Sequence, residues 1–348
     1  MLAALAETIP VEGEFLFEPK WDGFRAIVYR GDSDLYIQSR DSKPLDRYFP
    51  ELHDALLDRL PPGCVVDGEI VITTSSGLDF DALQLRLHPA ASRVAKLAKA
   101  MPSSFVAFDL LAVGGKDVRS RPQHERRAML EALSEHLSPP FHLTPMTLDR
   151  TLAAEWLDRF EGAGLDGVIA KPSASPYQPG KRVMVKIKHV RTADCVVAGF
   201  RWYKGEQDAV GSLLLGLYDA GGRLQHVGVT SAFSMAIRKL LVTELAPLRT
   251  NALEDHPWRE WAEASVHGRM PGAQSRWSAG KDLSWEPLRV ERVCEVKYDH
   301  MQRDRFRHAA VFRRWRPDKQ PCDCRYDQLE VTPAYELAKV FSSGSSGS

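Results

Sequence analysis

Glu18-Pro19-Lys20-Trp21-Asp22-Gly23-Phe24-Arg25 follows the apolar run Phe15-Leu16-Phe17 and sets a lysine, an acid, a glycine and an arginine within six residues. A lysine so placed becomes a nucleophile when it is partly desolvated and crowded by other cations, because both effects favour the neutral amine. Gly23 lets backbone come near a phosphate, and Arg25 can hold sugar or phosphate oxygens. Four fixed positions are uncommon by chance but do not decide the matter, since a lysine at a strand end is by default a solvated surface charge.

Outward from this stretch, companions follow in order. Val65-Val66-Asp67-Gly68-Glu69-Ile70-Val71 puts the carboxylate of Glu69 in a β-run. Phe105-Val106-Ala107-Phe108-Asp109-Leu110-Leu111 offers Phe108 as an aromatic platform, although an alternating strand would by default bury it. Leu165-Asp166-Gly167-Val168-Ile169-Ala170-Lys171 supplies the carboxylate of Asp166. In Met184-Val185-Lys186-Ile187-Lys188 two lysines alternate with apolar residues, so a strand points both to one face. Arg316-Pro317-Asp318-Lys319 adds a late cationic cluster.

The 348 residues carry 46 Lys+Arg against 46 Asp+Glu, and 44% are apolar, which excludes a wholly disordered chain and suits two or three packed domains. The charge is uneven: residues 171–191 hold six basic residues and no acid, and residues 297–319 hold eight basic residues and three acids. Two basic segments on a neutral chain suggest a localised polyanion surface. No apolar stretch reaches the roughly 18–20 residues of a membrane helix, and the first 14 residues lack the basic start of a secretory signal. Five cysteines form neither a disulfide framework nor paired zinc knuckles, and Cys322-x-Cys324 stands without a histidine, so free thiols and a cytoplasmic setting are expected.

Strand-sized runs punctuated by Gly and Asp fill the first 190 residues, with helices expected at 120–137, opened by a capping box at Ser120, and at 151–160. Beyond residue 190, β-like runs at 195–200, 213–218, 224–229, 290–298 and 306–315 surround one helix at 234–245. Five strands and a helix suit a Greek-key barrel of the OB type. Residues 251–285 read as a long barrel connection, and 342–348, only Ser and Gly, as a flexible tail. The tryptophans 202, 258, 261, 277 and 285 read as packing residues rather than base-stacking ones.

Taken together, these motifs resemble those of the covalent nucleotidyltransferase superfamily, and specifically of ATP-dependent DNA ligases; six match in order over residues 18–319. The resemblance implies an α+β fold: a nucleotidyltransferase domain of ATP-grasp-like mixed antiparallel sheets with helices at 1–190, then an OB-fold barrel at 191–341. It implies that Lys20 takes AMP from ATP, that Arg25, Arg40 and Glu69 contact ribose and phosphate, and that Phe108 stacks on adenine. Glu18 would read the adenine edge, Lys186 and Lys188 would bind the α-phosphate, and Arg316 and Lys319 would orient the leaving pyrophosphate. Glu69 and Asp166 are the implied metal carboxylates for Mg²⁺ or Mn²⁺. Asp166 stands where the family commonly has Glu, which points to a water-bridged contact.

The implied reaction passes AMP from a lysyl-AMP to the 5′-phosphate of a nick in duplex DNA and then seals the strand, in DNA repair. Only 19 residues precede Lys20, so the two domains alone are expected to grip the duplex through the two basic segments, as in the bacterial ligase C and ligase D group, which the run Tyr177-Gln178-Pro179-Gly180-Lys181-Arg182 also resembles. A monomer is expected. The alternatives are a GTP-dependent RNA guanylyltransferase and a non-catalytic nucleic-acid-binding relative.

Overall fold

A computed structural model describes residues 1–74, 77–188, 191–204, 206–260, 284–299, 301–302, 304–329 and 336–342. The chain forms two compact units, Met1–His189 with Thr332–Ser348, and Val190–Val331. In chain order the strands of the first unit are β1 (Leu2–Ala6), β2 (Phe15–Pro19), β3 (Phe24–Arg30), β4 (Leu35–Ser39), β5 (Cys64–Thr74), β6 (Gly77–Leu78), β7 (Ser103–Val113), β8 (Lys116–Asp117), β9 (Phe141–Leu143), β10 (Val168–Pro172) and β11 (Arg182–Ile187). Its helices are α1 (Pro50–Arg59), α2 (Phe80–Arg86), α3 (Ala91–Ala100), α4 (Gln123–Ser134) and α5 (Arg150–Arg159).

One sheet runs β1-β11-β10-β2; the larger runs β4-β3-β5-β7-β8, with β6 on β5 and β9 on β7. Period-two alternation decides what each face of the larger sheet does. Val66, Ile70 and Ile72 of β5 and Phe105 and Ala107 of β7 bury one face against Leu52 and Leu56 of α1 and Leu130 of α4. Val71 and Val106 point the other way and pack with Phe17, Val168, Ala170 and Ile187 of the smaller sheet and with Trp156 of α5. Asp67 and Glu69 share the parity of Val71, so they lie on this second face.

Phe108 shares the parity of Val106 and so lies on the second face, beside a local slip in register. Asp67 pairs with Asp109, but the next residue, Gly68, pairs with Ala107, so Phe108 is an extra residue on β7. A bulge of this kind re-aims side chains: Asp109 faces the same way as Asp67, Leu110 returns to the core, and Phe108 lines the same cavity as Glu69. Helix α4 starts at Pro122 without a side-chain cap, so the expected capping box at Ser120 does not form; α5 is capped by Asp149, which accepts from the Thr151 amide at 2.7 Å.

The second unit contains β12 (Arg191–Tyr203), β13 (Glu206–Tyr218), β14 (Leu224–Thr230), β15 (Glu286–Tyr298), β16 (Met301–Gln302), β17 (Arg305–Phe306), β18 (Val311–Trp315) and helix α6 (Met235–Arg249). Five strands pair in the order β14-β13-β12-β15-β18. A parallel bridge between Thr230 and Ala310 brings the end of β14 to the start of β18, with the Ala310 amide donating to Val229 at 2.8 Å. The run at 306–315 is thus two strands rather than one: β17 pairs with β16, and β18 with β15. Val196, Leu213, Leu215, Val227, Leu245, Val293 and Val296 fill the interior, and Trp202, Trp258 and Trp285 pack in or against it. Residues 261–283 of the expected connection, with Trp261 and Trp277, and 343–348 of the expected tail lie outside the described residues.

The chain's last described element departs from the limits read from sequence. Helix α7 (Leu337–Ser342) belongs to the first unit rather than to the barrel, where Val340 is buried in the core that holds Trp156 and Phe160.

Candidate active site

Lys20 owes its position to strand pairing. β2 pairs antiparallel with β10, Pro19 opposite Val168, and the pattern continues one step beyond the strands: the Lys20 amide donates to Gly167 O and the Asp166 amide to Lys20 O, both at 2.8 Å. Gly167 is required at this corner. Its φ is +125°, and a Cβ there would lie 2.1 Å from Ile187 O. The same register sets Glu18 and Lys186 on either side of Ile169 across the sheet, which is why three residues far apart in sequence share one wall.

Above that wall lies a cavity of about 440 Å³ lined by Glu18, Lys20, Arg25, Arg40, Glu69, Phe108 and Lys186 among others. Arg40 stands at its rim with a side chain 71% exposed. Lys188 reaches the neighbour of Lys20 instead: Asp166 Oδ2 accepts from Lys20 Nζ at 2.5 Å and lies 2.8 Å from Lys188 Nζ. Burial would raise the Asp166 carboxyl, but the two ammonium groups hold it below the ordinary carboxylate range. The expected crowd of cations around Lys20 is therefore present with an anion at its centre, and Asp166 is committed to ammonium groups rather than standing as a free ligand.

Glu69 has the opposite balance. Burial pushes its carboxyl up to about 8, against the pull of Lys20 and Arg25. Lys186 is lowered from its usual value by burial and by Lys20 and Lys188. Arg25 is fixed by Asp67, with Nε donating to Oδ1 at 3.0 Å and Nη2 to Oδ2 at 2.6 Å, while the Tyr177 hydroxyl donates to the same Oδ2 at 2.8 Å. Its guanidinium lies 5.7 Å from the Phe108 ring centre.

Several partners were not singled out from the sequence as site residues. Lys171 Nζ is 2.7 Å from Glu18 Oε2, donates to Phe108 O at 2.6 Å and lies 4.9 Å from the Phe108 ring centre. Arg127 of α4 reaches Glu18 Oε1 at 3.5 Å and donates to Thr144 O at 2.9 Å. Arg126 holds Asp109 by two bonds of 2.8 and 3.0 Å, anchoring the bulge that presents Phe108. An acid directly after Phe108 and paired arginines on a helix are the only sequence signals for these contacts. Gly23 serves packing rather than phosphate approach, since a Cβ there would lie 2.2 Å from Ile70 O.

The basic segment 171–191 also reads differently in three dimensions. Lys171 is buried and paired with Glu18, Arg182 and Lys186 line the cavity, and Lys188 meets Asp166, so much of its charge serves this site rather than an outer duplex surface. Arg316 and Lys319 belong to the second unit. There Asp194 Oδ1 and Oδ2 accept from Arg316 Nη1 at 2.9 and 3.0 Å, and Lys319 Nζ lies 3.3 Å from Asp194 Oδ2. Hydrogen bonds from Arg316 lower the Asp318 carboxyl to about 2.

A family model described as ATP dependent DNA ligase domain matches residues 1–188, and one described as ATP dependent DNA ligase C terminal region matches residues 206–319. The chain is 56% identical over 320 residues to DNA ligase C2 of Mycolicibacterium smegmatis, covering 91% of this chain and 90% of that one. To DNA ligase C of Mycobacterium tuberculosis it is 54% identical over 348 residues, covering 98% and 96%. A solved structure from a study of Lig E DNA ligases aligns over 91% of this chain and 99% of that chain with a TM-score of 0.56; at 18% identity the likeness is one of fold alone. These matches set aside the guanylyltransferase and non-catalytic alternatives: the chain belongs to the ATP-dependent DNA ligases.

Proposed function

We propose that Lys20 is the residue of this ligase that carries AMP, and that the cavity above β2, β10 and β11 holds the nucleotide. The observation that carries this reading is the placing of Lys20 Nζ against Asp166 Oδ2 at 2.5 Å, at the edge of a cavity lined by the cations Arg25, Arg40 and Lys186, the Phe108 ring and the carboxylates of Glu18 and Glu69. The ammonium gives its proton up through Asp166, the acceptor of its hydrogen bond. The amine attacks the α-phosphorus in line; a nitrogen–phosphorus bond forms, and the bond to the pyrophosphate oxygen breaks. Phe108 offers a flat face to the base, and Arg25, already held in plane by Asp67, presents donors to the ribose. Lys186 faces the phosphates as charge develops on them. For Arg316 and Lys319 the reading rests on the resemblance of Arg316-Pro317-Asp318-Lys319 to the family's motif, by which they would meet the pyrophosphate.

Glu69 fits a divalent cation. Mg²⁺ takes one or two carboxylates and completes its shell with phosphate oxygens and water, and a carboxyl pushed up to about 8 exchanges its proton for a cation at neutral pH. Among the described residues no group of three ligating side chains forms, in keeping with an ion held largely by its substrate. Bound there, the cation would neutralise charge on the phosphates.

The protein incubated with Mg²⁺ and α-labelled ATP, then denatured, is expected to carry a covalent acid-labile label that chases onto a nicked duplex and seals it. A label obtained with GTP in place of ATP, or none, contradicts the reading. A monomer sealing single nicks in bacterial DNA repair is the setting proposed.

A further inference from the structure

The residue after the nucleophile is gripped by the far end of the chain. Trp21 is buried, and its indole N–H donates to Thr144 Oγ1 at 2.8 Å. Its ring stacks on Phe341 of α7, with centroids 5.2 Å apart and planes inclined by 23°. Phe341 also stacks on His142 of β9 at 4.6 Å and 24°. Val340, next to it, is fully buried with Trp156, Phe160 and Val168. None of the motifs that mark this family lies in α7, which follows the barrel in sequence yet packs in the first unit.

We infer that Phe341 is a positioning residue for AMP transfer to Lys20: it clamps the Trp21 indole and so fixes the peptide that carries the Lys20 side chain. Two attachments then hold Lys20. On one side are its backbone bonds to Asp166 and Gly167; on the other is the Trp21 ring, held by a hydrogen bond at one edge and by Phe341 on a face. With Phe341 cut back to a methyl, the indole loses its stacking face, and rotation about its χ angles is transmitted to the Lys20–Trp21 peptide. An in-line attack tolerates little misplacement of the nucleophile.

This inference rests on the reading of Lys20 as the AMP carrier, and its test separates the two. The full chain, as wild type, Phe341→Ala and Phe341→Tyr, is compared in two assays: single-turnover label transfer from saturating α-labelled ATP, and sealing of a nick whose 5′-phosphate already carries AMP, a step that forms no bond to Lys20. Phe341→Ala is expected to slow label transfer by about tenfold or more, to leave sealing of the adenylylated nick within about twofold, and to regain transfer in Phe341→Tyr, which keeps the ring. Equal loss in both assays together with a lowered melting temperature would make α7 a general stabiliser and overturn the inference. Unchanged transfer in Phe341→Ala with a labelled wild type would overturn it alone, whereas an unlabelled wild type would overturn the Lys20 reading and this inference with it.

Discussion

Two groups of cations, one in each unit, differ in what surrounds them. In the first unit Lys20 and Lys188 share Asp166, Lys186 lies across the same sheet, and all sit at or beside a cavity with a half-buried carboxylate, Glu69, in its wall. In the barrel Arg316 and Lys319 converge on Asp194, and Arg316 also donates to Asp318. The first arrangement is written into strand register and is anchored by backbone bonds. The second is an ion cluster satisfied by its own carboxylates, Asp194 and Asp318. Preorganisation by a sheet and reserve by an ion cluster are different ways of keeping charge ready, and they respond differently to substitution.

The contrast is tested most severely at Lys20, where Lys20→Ala is expected to remove the covalent AMP altogether, as read by label retained after denaturation. Next comes the anchor of the bulge. Arg126→Ala takes the guanidinium from buried Asp109 and leaves it only the Leu110 amide, which costs about 3–5 kcal/mol, seen as a lowered denaturation midpoint, and loosens Phe108. Smaller is the effect of relieving the barrel cluster: Asp194→Asn removes the negative charge that both cations share, with Asp318 still holding Arg316, and is expected to lower KM for ATP by about two- to fivefold, the scale of a partly exposed ion pair. If the barrel's cations were as rigidly preorganised as the cavity's, that substitution would instead raise KM.

The smallest effect is one of pH. Because burial raises Glu69 to about 8, the folded protein holds a proton between the ordinary glutamate range and that value which the unfolded chain has released. Stability therefore declines as pH rises through this window and levels off above it. Glu69→Gln removes the dependence, so its melting temperature should match wild type near pH 5 and exceed it by a few degrees near pH 8. A constant difference across that range would contradict the assignment.

Much of this was legible in the sequence because it depends on alternation and order. The runs around Lys20, Glu69, Lys186 and Asp166 are strand-borne, and each strand's parity can be read from its apolar residues. Phe108 was legible as a platform only through its companions: it shares the parity of Val106, but the bulge beside it breaks the alternation, and no local pattern announces that. The partnership of Asp166 with both Lys20 and Lys188 joins residues just beyond the ends of three strands, β10, β2 and β11, and that of Glu18 with Arg127 spans 109 positions. Such contacts come from tertiary register, not from spacing. Helix α7 was hidden for another reason: a short segment beside a Ser/Gly tail carries too little periodicity to show which core it joins.

The most direct test of the account is the site of nucleotide attachment. Protein treated with ATP and Mg²⁺ is digested and its peptides are analysed by mass spectrometry. The account predicts one AMP on the peptide that contains Lys20, absent from the Lys20→Ala variant. AMP on another lysine, Lys186 or Lys188 included, would contradict it.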